Sequence, residues 1–429
     1  MTDPASQQHA TAGLSRRGLL GLALGAGAAG VAVGVGGAAL VGRASDGSAA
    51  PRADTQPFFG EHQAGITTPV QDHLHFAAFD IMDTTSREEL VELLQDWSYA
   101  ASRMMLGLEV SASGAVGGSP EAPPDDTGEA LGLPASNLTI TFGFGPTLFR
   151  AADGSDRFGL ADRAPAALAT LPPFLGDDLD PDHSGGDLCI QACADDPQVA
   201  VHAVRNLSRI AFGRARLRWP QLGFGRTSRT SAQQQTPRNL FGFKDGTANL
   251  LATDEHGLAE HVWVSTEDGP AWLAGGSYLV ARKIAMKIET WDRVRLAEQE
   301  QITGRTKGSG APLSGGEEFT PPDFTAVSGS GIPAIDPASH VARAHPDAND
   351  GIRMLRRGYN YVDGNTALGR LDAGLFFLAY VRSPERFVTV QRSVATDLMM
   401  EYLLTIGSGL WAVPPAPSEG SYVGAALFE

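Results

Sequence analysis

At 429 residues with 42% hydrophobic content, the chain is long enough for two domains and a sizeable buried core. A formal net charge of −16 excludes nucleic acid as the main partner, since phosphate contacts need a clustered positive face. The only two cysteines, Cys189 and Cys193, stand four strand steps apart, ~13 Å, beyond disulfide reach, so no disulfide framework holds the fold.

The amino terminus places Arg16 and Arg17 directly before a stretch from Gly18 to Gly42 that is rich in Gly and Ala and contains no charged residue. This resembles a twin-arginine export signal, with small residues at Ala44 and between Gly47 and Ala50 offering cleavage sites. Retention as an uncleaved anchor is the alternative, because the apolar run is long enough to span a bilayer. Residues 1–57 are therefore read as signal and linker, with export by the twin-arginine machinery to the cell envelope, periplasm or exterior.

Periodicity begins after Pro57. A strand is predicted over His73–Ile81, followed by a capping box, Ser86 to Glu89, that opens a helix with Leu90, Leu93, Leu94 and Trp97 on one side. The Gly-, Pro- and Ser-rich stretch from Leu106 to Asn137 is predicted as a long loop. Strands follow at Leu138–Phe142 and Leu188–Ala192, then a helix over Pro197–Phe212 with Val201, Val204, Leu207 and Ile210 apolar. The second half repeats this vocabulary: a strand at Ser277–Ile288, a helix over Trp291–Glu300, a strand at Gly374–Val381 and a closing helix from Pro384 to Ile406. Two similar halves of mixed elements, 58–235 and 236–429, fit a duplicated α+β plan, although periodicity alone does not separate it from a parallel α/β sheet.

Several chemistries are excluded cheaply. The chain has no GxxxxGK[ST] phosphate loop, no GxSxG elbow and no HExxH zinc helix. Gly143-Phe-Gly145 lacks the third glycine of a dinucleotide fingerprint and reads as a tight turn. His73 with His75, and His256 with His261, each lack a third metal ligand, and the six tryptophans are most simply packing residues.

Three segments carry chemistry. Asn239-Leu-Phe-Gly242-Phe-Lys-Asp245-Gly246-Thr-Ala-Asn249 sets an acid between glycines in an unusually apolar stretch; alone it would be a turn with a satisfied aspartate. Downstream lie Ser339-His340-Val-Ala-Arg343-Ala-His345-Pro346 and Met354-Leu-Arg356-Arg357-Gly358-Tyr359-Asn-Tyr361. Together these resemble the dye-decolourising peroxidases, and the similarity continues through Gly60–Ile66, Gly275–Val280, Gln299–Arg305 and Glu401-Tyr402.

The resemblance implies a duplicated ferredoxin-like fold with antiparallel sheets, in which the second half holds haem b, iron protoporphyrin IX. Asp245 falls on the acid of the GxxDG motif, Arg356 on the distal arginine and His340 on the axial ligand of the haem iron, with His345 as a rival five residues on. The family placement gives His340 a carboxylate partner, Asp397 in the closing helix, with Glu401 one turn further as the alternative. Leu375 and Phe377, alternate residues on a strand, are expected to face the haem. The activity implied is reduction of hydrogen peroxide through a ferryl intermediate and oxidation of organic donors such as dyes and phenols.

The residue types suit that chemistry. Peroxide heterolysis needs a group that takes a proton from one oxygen and returns it to the other, which an aspartate can do. A neighbouring arginine polarises the O–O bond and keeps the carboxylate ionised. A carboxylate on the far nitrogen of an imidazole raises its basicity as a ligand. An aspartate, with an ordinary pKa of about 3.9, remains a base at lower pH than a histidine near 6.5, so activity is expected to favour acid. The rival readings are a haem-handling or iron-releasing protein on the same scaffold, and a non-catalytic module in which the acidic motif is only a turn.

Overall fold

The computed structural model describes residues 54–429 apart from residue 330, so nearly all of the predicted export signal lies outside the described residues. The first half runs β1 (His73–Ile81), α1 (Arg87–Met104), β2 (Thr139–Phe144), β3 (Leu188–Ala194), α2 (Pro197–Ile210) and β4 (Ala215–Arg226). The second runs β5 (Ser277–Met286), α3 (Leu296–Thr303), α4 (His340–Ala344), β6 (Leu355–Arg356), β7 (Tyr359–Asn365), β8 (Leu371–Val381), α5 (Pro384–Val394) and β9 (Leu403–Val413).

Within the first half the strands lie side by side as β4-β1-β3-β2, and within the second as β7-β8-β5-β9. Both are the βαββαβ arrangement of a ferredoxin-like unit, with β6 and β7 acting as one interrupted strand along β8. All pairings between named strands are antiparallel. Two short ladders, Phe144 with Ala412 and Phe224–Arg226 with Tyr359–Asn360, join the units, so eight strands close into a ring.

Alternation along each strand decides what fills the ring. Leu74, Phe76 and Ala78 of β1 point inward, and the Phe76 ring lies 5.1, 5.3 and 5.4 Å from Trp219, Phe376 and Trp411. Ala77, Phe79 and Ile81 point outward beneath α1 and α2, packing with Leu90, Leu93, Trp97, Val204 and Leu207. Each such fully buried large side chain contributes roughly 1.5–3 kcal/mol. The predicted capping box forms, with Ser86 Oγ accepting from Glu89 N (3.1 Å) and Glu89 Oε2 from Ser86 N (2.8 Å). On the second unit the outer face is less covered. Ile284, Leu375 and Phe377 are only half-buried there.

Three departures from the sequence expectations have physical causes. The closing helix ends at Val394, not Ile406. The Asp397 carboxylate accepts from Met399 N (2.9 Å) and Met400 N (3.1 Å), which starts a new 3-10 turn over Leu398–Tyr402 and feeds β9. The Trp291–Glu300 helix is instead two, Ile288–Trp291 and α3. The Gln299 side-chain amide donates to the carbonyls of Trp291 (3.0 Å) and Val294 (3.1 Å) that the break leaves open. β4, β7 and β9 were not foreseen. β4 carries Pro220 and two glycines, and it tolerates the proline because β7 joins it only at its far end.

Candidate active site

The acidic motif folds as a turn that only glycine allows at its centre. Gly246 has φ +84°, and a Cβ there would stand 2.9 Å from Ser228 Cα. Asp245 N donates to Pro237 O (2.9 Å), and the Asn239 amide donates to Asp245 Oδ2 (3.3 Å). Arg356 Nη1 donates to Asp245 Oδ1 at 2.7 Å, a charge-assisted bond between side chains that retain 27% and 17% exposure.

Arg356 is held from two sides. Its strand pairs with β8, Arg356 opposite Ala379, while Asn249 accepts from Arg356 N (2.8 Å) and donates to Arg356 O (2.9 Å) as a substitute strand partner. Asn249 ended the motif in the sequence without a role; the structure gives it one. Glu318 was likewise unforeseen, since it lies in a long segment with no periodicity. Its carboxylate accepts from Lys244 Nζ and from Thr247 Oγ1 (3.4 Å), on either side of Asp245-Gly246.

His340 opens α4, capped by Ser339 Oγ, which accepts from Ala342 N (3.4 Å). Its Nδ1 donates to Asp397 Oδ2 at 2.7 Å, and the Asp397 side chain is 1% exposed. The neutral imidazole then keeps its lone pair on Nε2, which has no hydrogen-bond partner among the described residues. Burial opposes charging of this imidazole. The hydrogen bond and charge of Asp397, with the charge of Asp245 adding to them, outweigh burial and the opposing Arg356, so it titrates above its ordinary range.

The rival carboxylate falls elsewhere. Glu401 is exposed, and the bond made there runs from Lys287 Nζ to its carbonyl (2.8 Å). His345 Nδ1 accepts from Asp347 N (3.2 Å), and its ring meets Phe324 edge-on at 5.0 Å. Asp397 partners His340, from a turn after α5 and not from within a helix.

Sequence comparison gives this arrangement a context. Residues 63–225 match the Dyp-type peroxidase N-terminal model and residues 236–418 the C-terminal model. The chain belongs to the Dyp-type peroxidase family. It is 38% identical over 386 residues to the Deferrochelatase of Escherichia coli O157:H7, covering 88% of each chain. Among solved structures it is similar to ferric DtpA from Streptomyces lividans (39% identity, TM-score 0.78, 87% of this chain and 98% of that one). It is also similar to a DyP-type peroxidase from Cellulomonas bogoriensis (38% identity, TM-score 0.77, 89% and 100%). Membership of the Dyp-type family makes the chain a haem-binding peroxidase, an oxidoreductase that takes peroxide as acceptor and draws electrons from a donor.

The residues present fit a haem. The donor set is a neutral imidazole with a free Nε2 and a buried carboxylate behind it, the arrangement expected at haem iron. Directly paired strand residues share a face, so Arg356, Ala379, Phe377, Leu375 and Ile284 lie on one side of the sheet. That side combines apolar, half-buried surface with the Arg356–Asp245 pair, and carries a second pair, Arg282 with Asp177, opposite Phe377; an apolar face edged by polar groups suits a flat apolar ring. Leu375 also packs with the Phe241, Trp291 and Tyr402 cluster, and Phe377 meets Phe387 of α5 at 6.2 Å.

Proposed function

We propose that this chain is a haem b peroxidase exported by the twin-arginine route, which reduces hydrogen peroxide and oxidises organic donors such as dyes and phenols, favouring acid pH. His340 would hold the haem iron through Nε2, Asp397 would hold and polarise that imidazole, and Leu375 and Phe377 would line the ring. The observation that carries this reading is the pairing of Arg356 with Asp245 at 2.7 Å, together with the 2.7 Å bond from His340 to the buried Asp397 carboxylate. Export rests on Arg16, Arg17 and the uncharged stretch behind them.

Bound haem would supply the iron that takes up the oxidising equivalents of peroxide. The protein's own work is to move a proton and hold charge. The Asp245 carboxylate takes the proton from one peroxide oxygen and delivers it to the other, which leaves as water. Arg356, fixed by Asn249 and β8, donates to the carboxylate and stabilises negative charge on the departing oxygen. Asn239 keeps the second carboxylate oxygen aimed. The Asp397 carboxylate keeps the imidazole electron-rich.

The test is stopped-flow mixing of haem-loaded protein with hydrogen peroxide near pH 5, comparing wild type with Asp245→Ala and Arg356→Leu. Loss of general acid–base help is expected to slow the peroxide step about 10²- to 10⁴-fold with the Soret band retained. A second reading, release of iron from haem, is supported by the name of the Escherichia coli relative. It shares the ligand but not the need for Asp245 and Arg356. Haem-loaded variants that react as fast as wild type would favour it.

A further inference from the structure

Beside the Asp245 turn lies a cavity of about 410 Å³ that the chemistry above does not use. One wall is the continuation of the motif, Thr247 and Asn249; another carries His345, and Asp254 and Arg353 close it. Asp254 is already satisfied, accepting from Arg353 Nη1 (3.0 Å) and Gly257 N (2.9 Å). Arg229, which also lines the cavity, is not.

Arg229 is 8% exposed, yet no carboxylate among the described residues meets it. Its hydrogen bonding is one long contact, Nη1 to Ala232 O at 3.4 Å, and its guanidinium stacks 4.6 Å from the Phe319 ring centre. Nε is buried without a partner. A guanidinium withdrawn from water loses several kcal/mol of solvation that these contacts do not return, and buried charges are ordinarily paired. An arginine fork left open on a cavity wall matches the planar, bidentate geometry of a carboxylate.

We propose that the cavity is a carboxylate-binding site anchored by Arg229, deepening the reading of the neighbouring haem site. Two sources carry this group. One is a propionate of haem b itself, which Arg229 would tie to the protein. The other is a carboxylated organic donor, which Arg229 would seat two residues from the Asp245 turn. Arg353 is neutralised by Asp254, so Arg229 supplies the net charge of the site.

The test compares wild-type holoprotein with Arg229→Gln in two arms. In the first, each is loaded with haem b or its dimethyl ester and mixed with excess apomyoglobin, and the transfer rate is read at the Soret band. A propionate anchor predicts release of haem b about tenfold faster or more in the variant, with equal release of the ester by both proteins. In the second arm, calorimetry measures benzoate and benzyl alcohol binding. A donor site predicts unchanged haem release and benzoate affinity weakened about tenfold, with benzyl alcohol unaffected. Arg229→Lys, which keeps the charge, shows a smaller loss in whichever arm responds and serves if the Gln variant fails to fold. Equal haem release together with equal benzoate binding overturns the inference. A wild-type protein that takes up no haem overturns the proposed function instead, and the calorimetric arm still decides this one.

Discussion

Asp397 does two jobs with two oxygens, and substitutions separate them. Oδ2 accepts from His340 Nδ1, while Oδ1 accepts from Met399 N and Met400 N. Asp397→Ala loses both. Loss of the cap costs about 1 kcal/mol, and loss of a hydrogen bond to a charged group about 1.5–3 kcal/mol more, so the apo-protein should be destabilised by about 2.5–4 kcal/mol. Asp397→Asn keeps an oxygen for the cap but turns an amide donor towards an Nδ1 that must itself donate. Its stability loss should be the smaller of the two, while the imidazole is pushed towards the wrong tautomer. If His340 holds iron, both variants should lose about 10- to 100-fold in haem affinity. Thermal unfolding of the apo-proteins reads the first effect and haem transfer to apomyoglobin the second. An Asn variant that keeps haem as wild type does would refute the reasoning, leaving Asp397 as a cap and nothing more.

Three further outcomes are expected. Gly246→Ala forces a side chain into the left-handed region and against the Ser228 backbone, costing about 2 kcal/mol or more in a thermal melt and slowing the peroxide step. Glu318→Gln weakens the tie to Lys244 and Thr247 across the Asp245 turn, so peroxide reactivity should fall several-fold with haem binding unchanged; an unchanged rate would show that the turn needs no such brace. Burial pushes the His75 imidazole down to about 4. The unfolded chain takes up that proton near 6.5, so this contribution, roughly 3 kcal/mol at most, is present above about pH 6.5 and lost as pH falls towards 4. Urea titrations across that window should show the loss in wild type and its absence in His75→Leu.

The chemistry-bearing residues were legible because short motifs name them: the Asp245 turn and the Arg356 segment meet in a 2.7 Å ion pair, and the His340 segment supplies an imidazole with a buried carboxylate partner. β1 was legible to the residue, since a nine-residue run with six apolar positions, bounded by turn signals, admits little else. What the sequence hid were features that depend on distant partners. β4, with its proline and glycines, becomes a strand only because β1 lies beside it. β9 was absorbed into a predicted helix because Leu398–Ile406 suits either state until Asp397 caps a new turn. Asn249 and Glu318 act through contacts 107 and 71–74 residues away, which no local pattern records.

The closed ring bears on how this repeat can be divided. Each half has a complete ferredoxin-like strand order, and the strand ladders at the two seams are short, one residue pair at one and two at the other. Yet the interior belongs to neither. Phe76 and Trp219 come from one half, Phe376 and Trp411 from the other, and all four rings are packed against one another. Dividing the chain at its midpoint would bare the whole aromatic centre to water and also break side-chain ties between the halves, such as Tyr380 to Gln191, Arg357 to Thr68 and Trp411 to Gly186. The duplication is thus a property of the chain trace and not of the folding unit: two copies of one plan have come to share a single interior, and neither is autonomous.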